Sequence, residues 1–406
     1  MGMLSGIRVL DLSLQLPGPF CTMIMADYGA EVIKVDEPYP RVRNPFAGKE
    51  PGLSPAERYL NRGKRSLTLN LKTGEGREIF RTRADAADVV GEGFRPGVVE
   101  RLGVDYPTLS ARNPRLVYCS ISGFGQAGPM RTVAGHDINY ISYTGILGIS
   151  GRWGDPPAIP PVQIGDLFGG SMMALSGILM ALLSRQSSGQ GRLVDVSMAD
   201  GAMSMLAFHA AEFFTGGVLP ERGNMPLTGR FPCYETYRCM DGQYISVGSL
   251  ETWFWEGLVK IIGREDLLPF HSTDGEEGEK ARAELAKVFI GKTRDEWVKF
   301  FEGKDVCFSP VLTLAEALDH PNAKEREMVV EVGSPLGGRE KQLGLPVKFY
   351  GPQEVPPRTP SAGGPAAPVP RRASFLGEND EEILKEIGYT AAQVEELRDR
   401  GVVRKA

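Results

Sequence analysis

Along the chain, short runs of branched apolar residues alternate with stretches in which apolar positions recur at helical spacing. Residues 7–13 (IRVLDLS) and Glu31–Asp36 (EVIKVD) have the first character and predict buried strands. Between them, Pro17-Gly18-Pro19 predicts a turn that ends the first strand, and residues 20–28 carry apolar side chains at helical intervals. A β-α-β opening of this kind is the usual entry to an α/β domain with a parallel sheet. The alternation continues with a helix over 76–87 and strands over 116–122 and Leu193–Ser197, after which a long helix is expected over 198–214.

A Gly/Pro-rich stretch over 216–231 marks a linker. Beyond it comes a smaller unit with a strand over 244–247 and helices over 253–262, 281–289 and Arg294–Phe301. Proline and glycine recur over 351–372 with few large apolar residues, so that segment reads as an extended connection. Helical periodicity returns over 376–403. The organisation expected is therefore 1–215 for the N-terminal part of a large domain, 216–231 for the linker, 232–330 for a small domain, and 331–406 for a return linker and closing segment. A length of 406 residues exceeds what one simple core usually supports, which favours this division.

Charge and cysteine content narrow the classes. A formal net charge of -5 argues against a nucleic-acid binder, which needs a basic surplus to displace counterions from phosphates. Cys21, Cys119, Cys233, Cys239 and Cys307 are odd in number, scattered and without a C-x-x-C pair, so neither a disulfide framework nor a zinc site is expected. Reduced thiols in a cytoplasmic protein are the expectation. Residues 1–10 hold Arg8 within a strand pattern and no long apolar core, so no signal peptide is expected. Residues 167–184 carry no charge, but they reach only the lower edge of membrane-spanning length and are rich in Gly and Ser. A buried helix is expected there, and no membrane partner.

Several motifs bear on chemistry. Gly123-Phe-Gly-Gln-Ala-Gly128 is formally a G-x-G-x-x-G after a strand, but Pro129 follows at once and no helix pattern opens, so a dinucleotide site is disfavoured. Arg62, Lys64 and Arg65, with Arg41 and Arg43 upstream and Arg95 and Arg101 downstream, read either as solvated surface charge or as cations for a phosphorylated ligand. His136, in AGHDINY after a Gly-rich loop, is one of only four histidines and belongs to the residue type best suited to proton transfer near neutral pH. An isolated loop histidine is more often a satisfied polar residue, and His209, His271 and His320 are read that way. Asp166, in IGDLFGG before the apolar helix, reads as a helix N-cap, with Gly165 and Gly169 leaving room for a ligand to come close. Met173, Met203, Met205 and Met225 read as core packing before an adaptable acyl surface.

Taken together, GIRVLDLS with PGPF, DYGAEVIKVDEP, NRGKRSLTLNLK, GEGFRPGVVERLG, SGFGQAGP, AGHDINY, IGDLFGG, LLSRQSSGQGRLVDVSMADG and CYETYRCMDGQYISVGSLE resemble the class III CoA-transferase superfamily, which includes the α-methylacyl-CoA racemases. The order of these segments holds over nearly two-thirds of the chain, and the likeness continues more weakly through CFSPVLTLAEALDHP and FLGENDEEILKEIGY. The resemblance implies an α/β fold: a Rossmann-like large CoA-binding domain built from both chain ends, a smaller α+β domain, and an interlocked homodimer.

It also implies roles. In the transferases an aspartate at the position of Asp166 attacks the thioester and forms a mixed anhydride. In the racemases that aspartate and a histidine at the position of His136 flank the α-carbon, with a glutamate at the position of Glu251 behind the histidine. Transferases commonly lack the histidine, so the resemblance points to racemisation of a 2-methylacyl-CoA through an enolate stabilised by backbone N–H groups near Asp137 and Asp166. CoA contacts are implied for Leu69, Asn70, Leu71, Lys72, Gly93, Phe94, Arg95, Arg101, Gly135, Asp137, Ile138, Asn139 and Tyr140. An acyl-CoA thioester is the expected partner, with no metal and no cofactor beyond the CoA of the substrate. Two features depart from the racemase pattern: Glu37 stands where bacterial racemases have a CoA-contacting arginine, and the GEND segment is more typical of transferases. A transferase acting through Asp166 and a non-catalytic CoA-binding protein are the alternatives.

Overall fold

The computed structural model describes residues 2–40, 54–350 and 370–405. Arg41, Arg43 and most of the expected 351–372 connection lie outside the described residues. The chain divides into two compact units, one of Met1–Thr144, Val162–Met205 and Pro321–Ala406, the other of Gly145–Pro161 and Leu206–His320.

The first unit is built on six parallel strands: β1 (Arg8–Asp11), β2 (Glu31–Asp36), β3 (Arg65–Thr68), β4 (Val89–Glu92), β5 (Val117–Ser122) and β6 (Leu193–Ser197), in the spatial order β3-β2-β1-β4-β5-β6. Alternation along each strand explains two cores. Leu10, Ile33, Leu67, Val90 and Tyr118 face one side, and Val9, Val32, Val89, Val117 and Cys119 face the other. The order of connections reverses across the sheet between β1 and β4, the kind of switch point at whose carboxyl end open α/β sheets generally bind ligands. Both chain ends build this unit. Ile383, Leu384, Val394 and Leu397, from helices Asp380–Lys385 and Ala391–Asp399, share the core with Leu10 and Leu67.

Three elements differ from the sequence expectation. Pro17-Gly18-Pro19 is no turn but the first turn of helix Pro17–Asp27, because proline at the start of a helix loses no intrahelical bond and has the right φ. The helix expected over 198–214 is two, Met198–Ser204 in the first unit and Ala207–Gly216 in the second. The break carries no Gly or Pro, so the pattern holds no sign of it. Asp166 is not an N-cap: Gln163 holds that place, and Asp166 lies within a π-helix, Ile164–Met172, that runs into α-helix Met173–Ser188.

That composite helix, Ile164–Ser188, is long and apolar enough to cross a membrane by length and composition. Ala174, Ile178, Ala181 and Leu182 pack it into the core, and the buried Arg185 near its end pairs with Asp88 at 2.9 Å. Leu179, Met180 and Leu183 form an exposed apolar face. In the second unit, strands β7 (Tyr234–Arg238), β8 (Tyr244–Gly248) and β9 (Phe308–Pro310) form an antiparallel sheet. Helices Thr252–Ile261, Gly275–Phe289 and Arg294–Phe301 supply Trp255, Phe289, Trp297 and Phe301 to its core. Two further strands of the first unit, β10 (Val329–Gly333) and β11 (Arg339–Leu343), pair as a hairpin. All five cysteines are free; Cys307 is the exposed one.

Candidate active site

Tyr140 is the hub of the site. Its helix, Asp137–Tyr143, packs against the π-helix, and its ring lies where three glycines from three separate motifs leave space. A Cβ on Gly123 would come within 2.6 Å of the ring, one on Gly135 within 2.7 Å, and one on Gly165 within 3.2 Å of the Tyr140 Cβ. The Tyr140 hydroxyl donates to the Gly135 carbonyl at 2.6 Å, and Phe124 meets the ring edge-on at 5.4 Å. These contacts hold the segments of His136, Asp166 and the G-x-G-x-x-G loop together. The loop itself is pinned from the sheet: the Gln126 N–H donates to both carboxylate oxygens of Asp195 at 3.1 Å.

His136 precedes the helix in extended conformation. Its N–H donates to Asn139 Oδ1 at 3.0 Å, and its carbonyl accepts from the N–H groups of Asn139 and Tyr140. The residue is exposed, so its side chain is open to a ligand. Next to it, Asp137 Oδ1 accepts the backbone N–H of Asp166 at 3.0 Å. This bond ties the His136 segment to the Asp166 turn. It also occupies the Asp166 N–H, one of the enolate donors that the family resemblance implies.

The Asp166 carboxyl is pushed up to about 7, first by burial and then by the charge of Asp137. The surroundings reveal why burial dominates. Gly165, Gly169 and Gly170 are buried, and Gly169 sits so close to the next helix that a Cβ would lie 2.2 Å from the Met198 carbonyl oxygen. A π-turn at this point displaces the carboxyl-bearing residue from ordinary helical register, a distortion often found at functional sites. Sequence periodicity has no signal for it.

The carboxyl ends of β1 and β4 carry a second set of predicted residues. Gly93 is exposed, and a Cβ there would lie 3.6 Å from Ser13 Cβ, so the loops after β1 and β4 nearly touch. Phe94 is half-buried and Arg95 and Arg101 are exposed. Glu92 is buried beneath them. Its carboxylate accepts the Phe94 N–H at 2.7 Å and the Ser120 hydroxyl, and burial pushes its pKa up to about 7. After β3, Leu69 and Leu71 point into the core, so that loop offers a ligand its backbone together with Asn70 and Lys72. Ile138 and Asn139 are exposed.

Arg62, Lys64 and Arg65 of the basic cluster are consumed by ion pairs within the protein, so neither free solvated charge nor phosphate binding describes these three. Arg62 is buried against Asp27 at 2.6 Å and also donates to Leu343 O and Gln342 Oε1. Lys64 is buried against Asp11 at 3.0 Å. Burial alone would raise Asp11, but Lys64, Lys34 and the hydroxyls of Ser13 and Thr22 outweigh it and hold the carboxylate at about 2. Arg65 pairs with Glu31, Glu382 and Glu386. Glu251 lies in the second unit, exposed, as the N-cap residue of helix Thr252–Ile261.

Comparisons with known proteins agree with this architecture. A model of CoA-transferase family III matches residues 4–365. The chain is 37% identical to the human alpha-methylacyl-CoA racemase over 98% of its own length and 97% of that protein. It is 34% identical to the succinyl-CoA:mesaconate CoA-transferase of Haloarcula marismortui, over 96% of this chain and 97% of the relative. Among solved structures, a CAIB/BAIF family protein from Brucella suis superposes with a TM-score of 0.78 at 29% identity, covering 95% of this chain and 99% of that one. With sequence and architecture matching along nearly its whole length, the chain belongs to CoA-transferase family III.

Proposed function

We propose that the protein is a racemase that interconverts the (R) and (S) forms of 2-methylacyl-CoA thioesters. The observation that carries this reading is the Asp166 carboxyl, poised at about 7 and tied through Asp137 to the segment that presents His136. An acid/base group is most effective when its pKa lies near the working pH. A carboxylate serving as nucleophile gains nothing from being half protonated. In this reading Asp166 and His136 act as opposed proton carriers: one removes the C2 proton and the other returns a proton to the opposite face.

Each well-placed general acid or base supplies roughly 10²- to 10⁴-fold, which is too little alone for a thioester α-carbon. Donors to the enolate oxygen supply the rest. The first N–H groups of a helix have no intrahelical acceptor, and in helix Asp137–Tyr143 those of Asp137 and Ile138 fill this role. Leu69, Asn70, Leu71, Lys72, Gly93, Phe94, Arg95 and Arg101 hold the CoA portion along the carboxyl edge of the sheet. No group beyond the CoA of the substrate takes part. The exposed apolar face at Leu179, Met180 and Leu183 is covered by a second copy of the chain, in keeping with a cytoplasmic homodimer.

A transferase is the second reading, favoured by the transferases among the relatives and by the partly accessible Asp166. One experiment separates the two. The protein is incubated with a single epimer of a 2-methylacyl-CoA in deuterated water and C2 is followed by NMR. The racemase incorporates deuterium at C2 as stereochemical purity falls. Retention of the C2 proton, with CoA passing to an added carboxylate and a trappable Asp166 anhydride, would establish the transferase instead.

A further inference from the structure

The last residues of the chain run across the carboxyl ends of β2 and β3. The Asn70 N–H donates to the Val402 carbonyl at 2.8 Å, and the Arg404 N–H donates to Thr68 Oγ1 at 2.9 Å. Thr68, the final residue of β3, receives further support from Asp380, whose carboxylate accepts the Thr68 N–H at 2.7 Å and its hydroxyl at 2.5 Å. Backbone bonds thus fix where Arg404 emerges, independently of its side chain.

The Arg404 side chain then reaches over the end of β2. Its Nη1 donates to the Pro38 carbonyl at 3.1 Å, and its guanidinium lies 6.0 Å from the centre of the Tyr39 ring, which is 57% exposed. Among the described residues no carboxylate pairs with Arg404, whereas Arg400, four residues before it, pairs with Glu75 and Glu396. Lys72, in the loop after β3, pairs with Glu37 at 2.9 Å. Beside the loop after β3 there is therefore a half-buried guanidinium whose main chain is held in place, paired with no acid among the described residues and next to an exposed aromatic face. That pairing suits a phosphorylated purine nucleoside: the ring stacks on the base and the guanidinium meets the phosphate.

We propose that Arg404 binds the ribose 3′-phosphate of the CoA nucleotide, with Tyr39 against the adenine. This deepens the acyl-CoA reading above and rests on it. β3 is the edge strand, four strand spacings or about 19 Å from β5, after which Gly123 and the proton-transfer site begin. A ligand with its thioester at that site and an extended pantetheine arm along the strand ends brings its nucleotide end to this edge.

The test is calorimetric titration of the full-length protein with CoA and with dephospho-CoA, which lacks only the 3′-phosphate. The wild type is compared with Arg404→Gln and Arg404→Lys. Arg404→Gln is expected to weaken CoA roughly tenfold, as loss of one charge-assisted contact does, and to leave dephospho-CoA binding unchanged, while Arg404→Lys recovers part of the loss. Equal CoA affinity in Arg404→Gln and wild type overturns the proposal, as does an equal weakening of both ligands. If the wild type binds neither ligand, the acyl-CoA reading falls and this assignment falls with it; wild-type binding with an indifferent Arg404 removes this assignment alone.

Discussion

At the scale of single residues, the environment of Asp166 makes its charge a liability to the fold. The folded state favours the neutral carboxyl, whose pKa is about 7 against an ordinary 3.8. That favourable contribution is fully present below the ordinary value and is lost as pH rises through 7. Asp166→Asn removes the cost of ionisation, so thermal melting is expected at a higher temperature than wild type at pH 8, with the difference vanishing below about pH 4. A wild type and variant that melt alike at both pH values would show Asp166 to be freely solvated. The opposite sign holds at Asp11, where Lys64 and Lys34 keep the carboxylate low. Asp11→Ala strands the buried Lys64 ammonium and is expected to cost about 3–5 kcal/mol in denaturant unfolding. A loss below about 1 kcal/mol would mean that water reaches Lys64.

At the scale of elements, glycines decide how closely the site is drawn together. Gly169 and Gly201 let the π-helix and helix Met198–Ser204 touch backbone to backbone, since a Cβ on Gly201 would lie 2.6 Å from Gly169 Cα. Gly169→Ala therefore forces these elements apart. It is expected to destabilise by about 1–3 kcal/mol and to lower the exchange rate, because Asp166 rides on the displaced turn. Unchanged melting and turnover in that variant would contradict the packing described. Such spacing is only partly legible in the sequence. The branched runs at Glu31–Asp36 and Leu193–Ser197 predict strands that the structure reproduces residue for residue; the first is largely buried in the sheet, while the second is an edge strand buried only at its end and is marked by its branched residues alone. Strands Arg65–Thr68 and Val89–Glu92 are hidden in short stretches of mixed character. The π-turn at Asp166 and the break at Met205 depend on tertiary contact, which no local period records.

For the whole molecule, the order of motifs along the chain carries the family resemblance, and that resemblance nominates His136, Asp166 and the strand-end loops; the structure brings the His136 and Asp166 segments together around Tyr140. The inward role of Arg62 and Lys64 is hidden, because a sequence does not reveal which acid a cation meets. The exposed row of Leu179, Met180 and Leu183 bears on assembly. Sedimentation is expected to give a dimer, and Leu183→Glu to shift it toward monomer by placing a charge on the face proposed to be covered by a second copy. A monomeric wild type, or a membrane-bound one, would refute that surface assignment.

The central claim is that two different side chains serve the two faces of one carbon, and half-reactions test it most directly. Each epimer of a 2-methylacyl-CoA is incubated separately in deuterated water with His136→Ala and with Asp166→Asn, and loss of the C2 proton is followed by NMR. The account predicts that each variant exchanges one epimer without inverting it and leaves the other inert, with the preference reversed between variants. Racemisation at the wild-type rate in either variant, or loss and retention of exchange that never distinguishes the epimers, would contradict it.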